Sequence, residues 1–137
     1  MSDTVSGADA PMWLRIVAVL GLLWNLVGCY MYLGSVGLVG GSDPAMAAGV
    51  LPAWVTGAFA IAVFAGALGC LGLLLLRRWS VWMLGLSLLG VLAHHLWVLL
   101  FSGLAMGNGA PLAIAVIVIA IVLFWFAYSG GTRGWLR

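Results

Sequence analysis

The chain contains no lysine and no glutamate. Its charges are five Arg and three Asp, 6% of 137 residues, where a soluble domain carries about 25%. That is too little polar surface to coat a globule in water. A soluble enzyme and a disordered tail are excluded. So is a nucleic-acid binder of the usual basic kind, because a net charge of +2 from scattered Arg is no basic patch. Two Cys cannot build a disulfide scaffold. There is no Cys-x-x-Cys, no Ser-His-Asp set, no phosphate loop and no Gly-rich nucleotide motif. No enzymatic chemistry is expected.

What is present is apolar: 66% of residues, in four runs. They cover about 13–33, 52–76, 79–101 and 111–128, each near the roughly 20 residues that span a bilayer. In lipid each must be a helix, since every backbone N–H and C=O needs a partner within its own segment. The fold expected is all-α: one polytopic membrane domain, 1–137, forming a four-helix transmembrane bundle behind a loose tail at 1–11. Arg15 precedes the first run, Arg77 and Arg78 link the second to the third, and Arg133 and Arg137 follow the fourth. With four spans, all five cations fall on one side. The positive-inside rule then makes both termini cytoplasmic, in a bacterial inner membrane. Trp13, Trp79, Trp82, Trp125 and Tyr128 mark the inner belt; Tyr30, Tyr32, Trp54 and Trp97 mark the outer one. Only Trp24 is expected deep. The connections 34–51 and 102–110 carry turn signals, Gly40-Gly41-Ser42-Asp43-Pro44 and Gly107-Asn108-Gly109.

Arg15, an apolar stretch and then Leu26-Val27-Gly28-Cys29 have the outline of a lipoprotein signal. Tyr-Met-Tyr-Leu after Cys29 is a poor mature start, and Asn25 interrupts the stretch, so an ordinary helix is expected. Spans one and three share Leu-Gly-Leu (Leu20–Leu22, Leu84–Leu86), a likeness that chance explains in so apolar an alphabet.

Lipid gives helices no hydrophobic reason to associate, so small residues set the seams. Ala58, Ala62, Gly66 and Cys70 recur four apart on span two, with Gly69 and Gly72 widening the groove. The polar groups inside the spans are few: Asn25, Cys29, Thr56, Cys70, Ser87, His94 and His95. Such groups are costly in hydrocarbon and need partners. At about 1.5 Å rise per residue, Asn25 lies roughly 18 Å from the inner boundary and the histidines roughly 22 to 24 Å. Adjacent helical residues point about 100° apart, so His94 and His95 are not expected to face one ligand; His94 is the better interior candidate. Cys29 and Cys70 differ in depth by about 15 Å, too far for a disulfide. The ligand count for a metal site falls short, with no carboxylate in any span, and both histidines sit on one helix, which excludes bis-His haem within one chain. No cofactor is expected.

Trp24-Asn25-Leu26-Val27-Gly28, Pro52-Ala53-Trp54 and Phe59-Ala60-Ile61-Ala62-Val63-Phe64 resemble a group of small four-span proteobacterial membrane proteins. So do Arg77-Arg78-Trp79, Ser87-Leu88-Leu89-Gly90-Val91 and Arg133-Gly134-Trp135-Leu136-Arg137. Members are often labelled "sugar transporter". The resemblance runs from Trp13 onward. Two departures stand out: shorter outer loops, and His94-His95 where an amide such as Gln is expected. The label implies a small-solute path lined by Asn25, Thr56, Ser87, His94 and Trp24, within an oligomer. The scarcity of intramembrane polar groups and the thin loops favour a helix-packing accessory component of a membrane assembly. The partners expected are membrane lipid and either a second copy or another membrane protein; no nucleic acid is expected.

Overall fold

The computed structural model describes residues 9–40, 52–101 and 109–137. They form four helices: α1 (Met12–Ser35), α2 (Ala53–Leu74), α3 (Trp79–Phe101) and α4 (Gly109–Thr132). Each is long and apolar enough to cross a membrane. At about 1.5 Å per residue they run roughly 33 to 36 Å, against a hydrocarbon core of about 30 Å. The fourth helix continues four residues past the expected end at Tyr128, through Ser129-Gly130-Gly131-Thr132. The turn signal around Asp43, most of the one around Asn108, and the first eight residues of the tail lie outside the described residues.

Three helices stop in the same way. The residue after the C-cap takes positive φ: Gly37 (80°), Leu76 (57°) and Gly134 (76°). The next N–H then reaches back five residues, as Leu38 to Leu33, Arg77 to Gly72 and Trp135 to Gly130. This Schellman closure satisfies carbonyls the helix end leaves open. Glycine is the usual residue there because it lacks a Cβ; Leu76 is the exception. Its carbonyl accepts from the Arg137 N–H at 2.7 Å, and Arg78 N–H donates to the Arg137 carbonyl at 2.8 Å. The segment 135–137 is thus strapped across the α2–α3 link, with Leu136 buried in the core.

The helices run up and down. α2 packs on α1 and, most extensively, on α3; α3 packs on α4. The α2–α3 seam is as close as backbones allow. A Cβ added at Gly90 would lie 2.7 Å from the Ala58 carbonyl oxygen and 2.8 Å from Ala62 N. One at Gly69 would meet Leu84, and one at Gly72 would meet Trp79. Ala58, Ala62, Gly66 and Cys70 are all buried, as the seam requires.

Among the described residues, α1 and α4 meet toward the end that carries the arginines. There Leu14 and Ala18 join Leu123, Ala127 and Leu136 in one buried cluster. Trp13 meets Phe126 at 5.3 Å and Trp135 at 5.8 Å between ring centroids. The outward surface is apolar: Trp82 is 80% exposed and Leu100 71%.

Candidate functional site

Where α1 and α4 part, a cavity of about 350 Å³ opens between all four helices. That lies within the range of small-ligand sites, about 300–1,000 Å³. α1 contributes Trp24, Asn25, Val27, Gly28 and Met31; α2 contributes Phe59, Ala62 and Val63. α3 gives Leu84, Ser87, Val91, His94 and His95; α4 gives Leu112, Val116, Ile119, Ala120 and Leu123. The wall is aliphatic and aromatic with four buried polar side chains set in it: Asn25, Ser87, His94 and His95.

Each of the four donates to the protein itself. The Asn25 amide nitrogen gives one N–H to the Gly21 carbonyl at 2.8 Å and faces Cys70 Sγ at 3.8 Å. Ser87 Oγ donates to the Ala62 carbonyl at 2.6 Å. His94 Nδ1 donates to the Val55 carbonyl at 2.9 Å, and His95 Nδ1 to the Val91 carbonyl at 3.0 Å. A carbonyl only accepts, so these contacts fix the amide orientation and put a hydrogen on each Nδ1. Hydrogen bonds from Ser87 and His94 cross from α3 to α2, Asn25 bonds both within α1 and across to Cys70 on α2, and His95 bonds back within its own helix. Gly66 makes this possible. A Cβ there would overlap Asn25 Oδ1 and lie 2.9 Å from Ser87 Oγ. The missing side chain is the space into which both polar groups fit.

Of the residues the sequence singles out for a polar path, Asn25, Ser87, His94 and Trp24 do come together on this wall. Thr56 does not. It is half-buried, lies off the cavity, and reaches its own helix start at Pro52 O, 3.5 Å away. Trp24, midway along α1, stands at the edge of the cavity, 40% exposed.

The histidine expectation needs correcting. Both rings are buried, both line the cavity, and their centroids are 4.8 Å apart. The 100° step fixes Cα–Cβ directions only. The ring of His95 turns back along the helix to its i−4 carbonyl and so comes beside His94. His94 also packs on Phe59 at 5.0 Å. The α4 wall carries no sequence signal, because Leu112, Val116, Ile119 and Ala120 look like the rest of that helix.

The arrangement has no nucleophile activated by a base. The Ser87 hydroxyl is spent on a backbone carbonyl, and both thiols, Cys29 and Cys70, are free and buried. Among the described residues, no three His, Cys, Asp or Glu side chains come together as metal ligands. The described residues form an apolar chamber with a few fixed hydrogen-bonding groups. No family model, no curated protein and no solved structure matches the chain.

Proposed function

We propose that the chain is a multi-pass protein of a bacterial inner membrane, with both termini cytoplasmic. Its function is to bind, and as an oligomer to pass, a small and largely apolar molecule held inside the bundle. It is not an enzyme. The four apolar helices and the clustering of Arg at one end support the placement.

The cavity carries the functional reading. Helices that served only to pack would close on one another. Here all four instead surround about 350 Å³, with the four scarce polar groups of α1 and α3 on its wall. An apolar wall suits a terpenoid or a short acyl chain better than a sugar. A sugar presents many hydroxyls, and each would need a partner on leaving water.

A second reading, an accessory component of a larger assembly, is favoured by one observation. Asn25, Ser87, His94 and His95 all return a hydrogen bond to the protein's own backbone, as packing groups do. The resemblance to chains labelled "sugar transporter" stays with the transport reading at the level of class.

Extraction in mild detergent followed by native mass measurement separates these. The binding reading expects the chain, or a homo-oligomer, to retain a small-molecule mass that Val116→Trp removes by filling the cavity. A stoichiometric protein partner and no small molecule would replace it with the accessory reading.

A further inference from the structure

The wall of the cavity is not uniform. On the α2 and α3 side the lining is buried or half-buried. The exposed lining residues, Trp24, Val27, Met31 and Leu112, belong to α1 and α4. Those two helices meet below the cavity, where Leu123 sits on Gly21, and not beside it. The opening is therefore a slot in the side of the bundle, between α1 and α4, bordered by apolar residues. Along α4 it extends from Leu112 to Leu123, about 16 Å at the helical rise. In the proposed placement such a slot faces acyl chains, and a ligand enters from the bilayer.

The floor of that chamber has one polarity. The Asn25 amide nitrogen is turned to Gly21 and Cys70, Ser87 O–H is turned to Ala62, and His95 Nδ1–H is turned to Val91. What these groups retain is accepting capacity: Asn25 Oδ1, the lone pairs of Ser87 Oγ, and Nε2 of a neutral His95. Asn25 Oδ1 and Ser87 Oγ converge on the same face of Gly66. A floor of acceptors recognises a donor and gains nothing from a ketone, an ether or a carboxylate.

Resting on the binding reading above, we propose that the ligand is a membrane-soluble alcohol. It enters between α1 and α4, lies with its apolar body against Val116 and Ile119, and donates its hydroxyl hydrogen to the acceptors beside Gly66 and at His95.

The test uses menthol and menthone, which share a carbon skeleton and differ in hydroxyl against carbonyl. The full chain is placed in lipid nanodiscs, exposed to each probe, desalted and extracted, with empty nanodiscs as baseline. Menthol is expected to be retained about fivefold or more over menthone, as one added hydrogen bond predicts. The double variant Ser87→Ala, His95→Phe, which leaves Asn25 Oδ1 as the remaining acceptor, is expected to narrow the preference for menthol to under twofold while both still bind; an undiminished preference overturns the assignment of the hydroxyl to these groups. Val116→Trp is expected to abolish retention of both. Equal retention of the two probes by the unmodified chain overturns the alcohol inference and leaves the binding reading standing. Retention of neither overturns both. Undiminished retention in Val116→Trp places the probes outside the cavity and overturns both as well. Gly57→Ala, whose added methyl meets nothing within 4 Å, controls for folding.

Discussion

Asn25 shows how a single amide is made tolerable in an apolar interior. Its N–H groups are spent on Gly21 and Cys70, and its oxygen is received where Gly66 offers no side chain. Adding one methyl at Gly66 therefore does more than overfill a seam, because it displaces a polar group with nowhere else to go. Gly66→Ala is expected to lower stability by about 1–3 kcal/mol, read as faster labelling of buried Cys70 by a thiol reagent during heating. Gly66→Ala combined with Asn25→Ala is expected to recover most of that loss, since the overlapping atom is gone. Equal damage in the single and double variants would contradict the slot. Ser80 is the opposite case. It is fully buried and its Oγ has no hydrogen-bond partner among the described residues. Ser80→Ala removes an unpaired polar atom without opening space, so melting is expected to stay unchanged or rise, by up to about 1 kcal/mol. At this scale the sequence is informative about which residues matter, because polar groups are rare in the spans. It is silent about rotamers, and that is why the His94–His95 pair reads wrongly from Cα–Cβ directions alone and why Thr56 looks like part of a path it does not touch.

Between helices, the distinction is between a glycine that touches backbone and one that touches nothing. Gly90 faces the Ala58 carbonyl and Ala62 N at under 3 Å from a would-be Cβ, and main chain cannot step aside as a side-chain tip can. Gly85 faces only the Phe124 ring, at 3.3 Å, and Gly57 faces open space. Melting temperature in one detergent should therefore fall in the order Gly57→Ala, Gly85→Ala, Gly90→Ala. Gly57→Ala should equal or exceed the parent chain, because Ala is the better helix residue by about 1 kcal/mol. A Gly90→Ala variant as stable as Gly57→Ala would mean that α2 and α3 are not in backbone contact. The four-residue repeat Ala58, Ala62, Gly66, Cys70 makes this seam legible in sequence, since small residues at helical spacing have few other reasons to recur in an apolar helix. The helix ends are less legible: the apolar runs stop at Leu33 and Tyr128, short of the ends at Ser35 and Thr132 that Gly37 and Gly134 close. At Leu76 a leucine at positive φ is held by Arg77, Arg78 and Arg137 through backbone bonds that no local pattern records.

For the whole molecule, the separation of α1 from α4 is what creates a cavity, and it leaves no mark on the sequence. α4 is apolar all round from Pro111 to Tyr128, so nothing in its periodicity says which of its faces meets α1 and which is left apart. The polarity of the bundle is the reverse case. Contacts of Trp13 with Trp135 and of Arg78 with Leu136 bring the start of α1, the α2–α3 link and the end of α4 to one end. Arg15, Arg77, Arg78, Arg133 and Arg137 lie on these segments. In the placement proposed above, the positive-inside rule makes this end the cytoplasmic one and gives the two adjacent Arg of the link the task of holding the central hairpin. Reporters fused before Met12 and after Arg137 are accordingly expected to be active only in their cytoplasmic forms. Reversing the hairpin charge with Arg77→Asp and Arg78→Asp leaves Arg15 and the C-terminal pair to orient the chain alone. Dual orientation or loss of α2–α3 insertion is expected, seen as partial protease access to the link from the periplasmic side. A link that stays wholly protected in that variant, or a parent chain whose termini report from opposite sides, would remove the charge argument on which the placement rests.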